Sequence, residues 1–566
     1  MKKITSLLIM MLFSIIFVTG ITVQSAGYTY THDNRPIHST EGYEFYQNLT
    51  FDALGLQVYE FAQPEDLYIY NQELIYIVDS KSNQLMVFTT NFDLITKKDT
   101  FIINKEEYKT YNNIKTDAEF LQIFSRIVTG KKTLKSNPTA GDSPYEFKGE
   151  NPILTENIQN EYEYIFYGLS GVYRFEDNIY LADKGNHQIV VIDANTYRIK
   201  QIITTPEHST FKWYDGTPAK GELHDKQALF QPTKLVVDRG GRIYAISDGI
   251  YEGIIEFSPN GQFNRFMGVN YTTLSAWEIF WRAISTDAQL SRRRVVIQTI
   301  FTSLSIDSKG FIYATSHATK NDSGVVTNDN AMIKLINTSS DDVLKRNGYV
   351  PPKGDLVYAV SHRDRSKVGP SEFSAITSTS YGTYTVADSK RGRLFTYDAD
   401  GYLLYISGQF STERNQLNKI EMPVSIKYLG EDLIVLDRVN KAILIFKPTP
   451  IAKLINEATY YYYIGEFEES SRVWNEVVKL NSLYEYAYVG IGKSLYKEGR
   501  YQEAMEYFEL GFDRVNYSKA YKQYRDQRIR KFFGPVMTII ILAYVAKKGY
   551  HLYKYIKFGS KEGDEE

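Results

Sequence analysis

The sequence predicts a mainly β chain, a β-propeller of repeated short-strand units, followed by a helical module and a C-terminal membrane-spanning helix. Three observations carry that prediction. A phrase of strand, Asp, tight turn and strand recurs at constant spacing, a helical periodicity of 34 residues follows the last copy, and an apolar run flanked by basic residues lies near the end. Composition bounds the rest. At 566 residues and 43% hydrophobic the chain can bury several cores. Its net charge of -2 excludes a global reason for nucleic-acid binding.

The first element, 1–26, has the pattern of a secretory signal peptide. Lys2 and Lys3 precede an apolar run from Leu7 to Val18, and Val23 and Ser25 suit cleavage. A retained anchor is the alternative; either one places the bulk of the chain outside the cytoplasm. There is no cysteine, so an exported body relies on burial rather than disulfides. Residues 27–50 read as a lead-in.

The repeats occupy 51–447. Asp183 and Ile189, six residues apart in YLADKGNHQIVVID, define a template that returns at Asp79, Asp248, Asp388 and Asp437, and a sixth copy has Ser316 at the Asp position. Upstream of the phrase comes a strand opened by an aromatic or Met near a proline; downstream comes a third strand and a turn, as in IEFSPNGQFNRF. Three or four alternating strands per unit is the pattern of a propeller blade. These units resemble NHL repeats, and the resemblance implies a six-bladed β-propeller. An Asp at a strand end can tie down turn N–H groups, and Asn186 and Asn440 suit turn positions of positive φ. One acid per unit in the same local role reads as scaffold; a carboxylate ring gathered for metal is the alternative.

Two insertions break the rhythm, near 101–165 and 270–299. In the second, Trp277, Phe280, Trp281 and Ile284 make one apolar helical stripe, which packs on the propeller edge or forms a binding ridge beside Arg292, Arg293 and Arg294. At 451–518 two segments align with Gly465 over Gly499, Phe467 over Tyr501, Ser470 over Ala504 and Trp474 over Phe508. This resembles two TPR repeats. The tyrosine cluster Tyr460, Tyr461, Tyr462 and Tyr463 is a candidate binding surface.

A basic juxtamembrane helix is expected over 519–531, a transmembrane helix over 532–547 and a cytoplasmic tail over 548–566. The apolar run Phe532 to Ala546 is short of the ~20 residues that usually span. Arg530, Lys531, Lys547 and Lys548 can snorkel to make up the difference. A buried core helix is the competing reading.

Motifs for chemistry are sparse. The eight histidines are scattered, and HExxH, GxSxG and P-loop patterns are missing. No catalytic residue, metal ligand or cofactor is assigned from the sequence. Fold-level analogy to lactonase-like propellers would require a divalent metal on the axis and nominates Glu65, Asp66 and Asp248 with His317 or His362. Positions such as Pro232, Thr233, Ser374 and Pro423 carry no charge and argue against it. The expectation is therefore a non-catalytic extracytoplasmic binding or scaffold protein tethered to the membrane. The propeller would hold a ligand or protein, and the TPR module would recruit a membrane partner such as a carbohydrate transport complex.

Overall fold

The computed structural model describes residues 27–136, 142–153, 160–223, 227–268, 300–318, 331–356, 369–409 and 419–558. The signal segment and the stripe of Trp277, Phe280 and Trp281 lie outside these residues, as does His362. The chain divides into two units, Met1–Lys453 and Leu454–Glu566.

The first unit is mainly β and propeller-like. Its first sheet is Pro64–Tyr70, Leu74–Asp79, Gln84–Thr89 and Leu94–Lys98 in that order. The second runs from Leu169–Phe175 to Ile199–Ile203, the third from Pro232–Val237 to Phe263–Met267, and the fourth has three described strands from Phe301–Ile306 to Ile333–Ile336. The fifth runs from Phe373–Ser378 to Leu403–Ser407. In each sheet successive strands pair antiparallel, and each sheet's first strand packs beside the first strand of the next. Around this ring the first strand of the last sheet, Pro423–Leu429, lies beside Pro64–Tyr70.

That last sheet contains Asp432–Asp437, Ala442–Pro448 and, on its outside, the N-terminal strand Tyr43–Thr50. Residues read as a lead-in thus finish the sheet formed by the last repeat. An edge strand left open exposes a ladder of N–H and C=O groups, and pairing it with the other end of the chain removes the exposure. Between sheets lie apolar layers of alternating residues: Leu67, Ile75 and Met86 meet Ile434, Leu436 and Ile443, and Ala182 and Val191 meet Leu235 and Ile243.

The insertion after the first sheet contributes to the core. Helices α1 (Lys105–Tyr111) and α2 (Asp117–Phe124) are capped by Asn104 and Thr116, and they bury Tyr108, Phe120 and Phe124 against the first two sheets. Strand Glu161–Ile165 pairs with Thr100–Asn104, and a hairpin joins Val128–Leu134 to Tyr145–Pro152.

In the helical region α3 (Pro450–Ile464), α4 (Phe467–Leu480), α5 (Glu485–Lys497) and α6 (Tyr501–Leu510) precede a 45-residue helix, α7 (Arg514–Phe558). Small residues let the helices approach. Ser470 donates to the Ala458 carbonyl at 2.9 Å and accepts from Ser494 at 3.1 Å, and Gly490 faces the Trp474 ring. Helix α7 is long and apolar enough to cross a membrane and is unburied within its apolar window.

Candidate functional site

Each first strand carries a one-residue register slip next to its opening residue, after Pro64, Leu169, Pro232, Phe301, Phe373 and Pro423. The residues at the slips are Glu65, Ser170, Thr233, Thr302, Ser374 and Val424, and all six line one cavity of about 1330 Å³. The residues one beyond the end of each second strand line it too: Ser80, Lys184, Asp248, His317, Ser389 and Arg438. The cavity therefore sits on the ring's axis, where equivalent positions of successive sheets converge. A bulge re-aims a side chain, which is how one strand can present a polar residue to the axis while its neighbours stay packed.

Three hydroxyls of the slip ring hold sheets together, while that of Thr233 donates to the Ile246 carbonyl within its own sheet at 3.4 Å. Ser170 donates to the Pro232 carbonyl at 2.9 Å, Thr302 to Phe373 at 2.7 Å and Ser374 to Pro423 at 2.5 Å, each reaching the next sheet. Ser425 joins the last sheet to the first by donating to the Leu67 carbonyl at 3.1 Å.

Beneath the cavity the axis is plugged. Lys234 donates to Asp66 Oδ1 at 2.6 Å, the Glu65 carbonyl at 2.7 Å and the Val424 carbonyl at 3.1 Å. Asp66 also accepts from the Val172 N–H at 3.2 Å. Tyr68 and Tyr173 pack with ring centroids 4.4 Å apart. Lys427 lies in this plug, where desolvation brings its ammonium down to about 8 in spite of Asp66. The cavity is thus a bowl rather than a pore.

Three ion pairs stand around the bowl. Arg438 pairs with Glu65, Lys184 with Asp248, and Lys390 with Glu372 at 2.8 Å. The imidazole of His317 faces the same space, and desolvation holds it below its ordinary pKa although Glu372 opposes the shift. An aromatic side comes from the insertion hairpin, Tyr145 and Phe147, and from Tyr167, which is 37% exposed. Tyr167 is seated by two glycines: a Cβ on Gly149 would come within 2.2 Å of its ring, and one on Gly185 within 2.3 Å. Gly185 is the glycine of the DKGNHQ phrase, and its N–H donates to the Tyr167 carbonyl at 2.7 Å.

The repeat aspartates take two positions. Asp79, Asp183, Asp388 and Asp437 are fully buried at strand ends. Asp79 accepts from the N–H groups of Gln63, Lys81 and Ser82 at 2.6, 2.9 and 2.8 Å. Asp437 accepts from Glu421, Val439 and Asn440 at 2.6, 3.0 and 2.9 Å. Asp183 accepts from the Tyr164 hydroxyl at 2.6 Å, the Asn186 amide at 2.7 Å and the Tyr167 N–H at 3.1 Å. Burial pushes it up to about 7 against those donors, and it raises the other three as well.

Asp248 differs from the expectation. Its strand ends one residue earlier at Ser247, whose hydroxyl oxygen accepts the Gln231 N–H at 2.8 Å, so Asp248 points to the bowl. Positive φ also falls elsewhere than expected. It occurs at the fourth residue after the Asp, at Asn83, His187, Gly392 and Lys441, while the amides of Asn186 and Asn440 donate to the carbonyls of Ile165 and Lys419. At Asp79 and Asp437 the second and third turn N–H groups donate to the carboxylate while the first donates to an upstream carbonyl, Gln63 or Met422, and the fourth residue must reverse into the next strand.

Of the metal candidates, Glu65, Asp248 and His317 share the bowl and Asp66 lies in the plug. Among the described residues no three His, Asp or Glu side chains are grouped to hold a metal ion. The tyrosine cluster lies on α3, with Tyr460 and Tyr463 exposed and Tyr462 under the Lys493 ammonium at 5.0 Å from its centroid.

No protein family and no curated protein matches the chain. Among solved structures it is similar to virginiamycin B lyase from Staphylococcus aureus, at 11% identity over 72% of this chain and 100% of that one, with a TM-score of 0.35. It is similar to the Cps50 (Swd1) β-propeller domain of Myceliophteria thermophila at 8% identity over 72% and 100%, TM-score 0.33. Hydrazine synthase of Kuenenia stuttgartiensis follows at 7% over 69% and 96%, TM-score 0.33.

Proposed function

We propose that the chain is a non-catalytic extracytoplasmic binding protein tethered to its membrane by α7. In this reading the first unit is a six-bladed propeller of NHL type, the bowl on its axis holds a ligand, and the helices α3 to α6 act as a TPR module that recruits a membrane partner such as a transport complex. The observation that carries the reading is the bowl itself: a closed-bottomed cavity of about 1330 Å³ with ion pairs at its rim and acidic and basic side chains in equal number along its lining. Paired charges do not attract a counter-ion, yet they present donors and acceptors side by side. With an aromatic wall on one side, that surface suits a neutral polar ligand larger than the usual small-molecule pocket takes, and carbohydrate has this chemistry.

A second reading, a metal-dependent lactonase-like hydrolase, is favoured only by Glu65, Asp248 and His317 sharing the bowl. One experiment separates the two. The detergent-solubilised full chain is titrated with neutral oligosaccharides by calorimetry, and the same sample is assayed for bound divalent metal and for lactone hydrolysis. Saturable glycan binding without metal or turnover is expected; stoichiometric metal with turnover would replace the binding reading with the hydrolase.

A further inference from the structure

Helix α7 carries charge in an arrangement that the anchor alone does not require. The six basic residues Lys519, Lys522, Arg525, Arg528, Arg530 and Lys531 precede the apolar run with only Asp526 between them. Asp526 is taken by Arg525 at 2.9 Å, and Arg528 lies 5.1 Å over the Tyr524 ring. Among the described residues no carboxylate pairs with Arg528, Arg530 or Lys531. All three are exposed.

Two geometric facts identify what would meet them. At ~1.5 Å per residue the run Phe532 to Ala546 is about 22 Å long, against a hydrocarbon core of about 30 Å. If the helix spans, the shortfall of roughly 4 Å per end draws Arg530, Lys531, Lys547 and Lys548 to the hydrocarbon edge, from which their side chains must reach outward to the phosphate layer. Successive residues turn by about 100°, so Arg525, Arg528, Arg530 and Lys531 project at about 0°, 300°, 140° and 240° around the axis. They form a collar. A protein partner would pack on one face of the helix, whereas lipid surrounds it.

We infer that this collar, with Lys547 and Lys548 at the opposite end, is a binding site for the phosphates of anionic phospholipids, which form a selected shell around α7. The inference rests on the reading of α7 as a membrane anchor. Lys519 and Lys522 stand roughly 15–20 Å outside the apolar run, beyond the headgroup layer, and contribute little once salt screens them.

The test uses the full chain reconstituted in phosphatidylcholine bilayers containing a trace of spin-labelled phosphatidylglycerol or spin-labelled phosphatidylcholine. The motionally restricted fraction of each label is read by electron paramagnetic resonance. The glycerol label is expected to be preferred about fivefold at ~0.15 M salt, where screening acts within about 8 Å, the factor that ~1 kcal/mol per interfacial cation represents. The variant R525Q/R528Q/R530Q/K531Q/K547Q/K548Q is expected to bring the preference near one, and K519Q/K522Q to leave it in place. Equal restriction of the two labels by the unmodified chain overturns the inference, as does an undiminished preference in the six-charge variant. A restricted component missing for both labels would show instead that α7 is outside the bilayer, and the anchor reading would fall with it.

Discussion

At the scale of single residues, Asp183 shows how a turn acid is held and what it costs. Its carboxylate meets a phenol, an amide and a backbone N–H, yet complete burial still lifts it to about 7. An acid whose pKa is higher folded than unfolded keeps its proton more readily in the folded chain, so stability falls as pH rises from about 4 to about 7, by at most ~1.4 kcal/mol per unit. Asp183→Asn removes that contribution and turns an N–H2 toward groups that already donate. We expect the variant to be less stable by about 1–3 kcal/mol and to lose part of the decline between pH 5 and 7 in urea titrations. An unchanged pH slope would mean that Asp183 is ionised throughout. The role of these residues was legible because the phrase recurs, but the position of one was not. Asp248 keeps the six-residue spacing to Ile254 only because its connection is one residue longer, and Ser247 supplies the acceptor.

At the scale of elements, strands and helices were legible where periodicity is strong, and the bowl was not, because its partners are remote in sequence. Glu65 and Arg438 are 373 residues apart, and Lys184 and Asp248 are 64 apart. No local pattern signals such pairs. The slip residues do leave a trace: a small hydroxyl residue follows the opening residue of several first strands, as at Ser170, Thr233, Thr302 and Ser374. The helix pairs were easier to read, since Ser470 and Ala504, and Trp474 and Phe508, recur 34 residues apart, and Gly490 and Gly492 fall where α5 meets the two aromatics. A Cβ at Gly490 would lie 2.5 Å from the Trp474 ring, and one at Gly492 2.8 Å from Phe508. Ala is a better helix former than Gly by ~1 kcal/mol, so propensity alone favours Gly490→Ala. Overlap with a fully packed indole opposes it by roughly 1–3 kcal/mol. We expect the overlap to win, lowering the melting temperature of the helical transition and red-shifting tryptophan emission as the buried Trp474 indole is pushed toward water. A variant that melts higher would show that α4 and α5 separate without strain.

At the scale of the whole chain, the first unit is closed by two segments from opposite ends of its sequence. Strand Tyr43–Thr50 pairs with Ala442–Pro448 from Tyr43 opposite Pro448 to Thr50 opposite Ala442, with one irregularity between Phe45 and Gln47. Thr449 fastens the same junction, donating its hydroxyl to the Glu41 carbonyl at 2.8 Å. The covering strand hides Ile443 and Ile445 on one side and brings Leu49 into the layer shared with the first sheet. A propeller-like ring holds only if every sheet is present, because each apolar layer is half of one sheet and half of the next. Loss of one outer strand therefore exposes apolar surface and an unpaired ladder together. A fragment beginning at Phe51 and ending at Lys453 would keep every repeat that sequence periodicity identifies and lack this strand. We expect it to melt several degrees below the fragment that begins at Gly27, since each kcal/mol is worth about 1 °C for a ring of this size and the lost strand removes several, and to associate through the bared edge. Supplying the peptide 43–50 in trans should raise its melting temperature in a concentration-dependent manner. Equal melting of the two fragments would mean that the ring is held by its inner strands and hydroxyl pins alone, with the N-terminal strand an addition to a fold already closed.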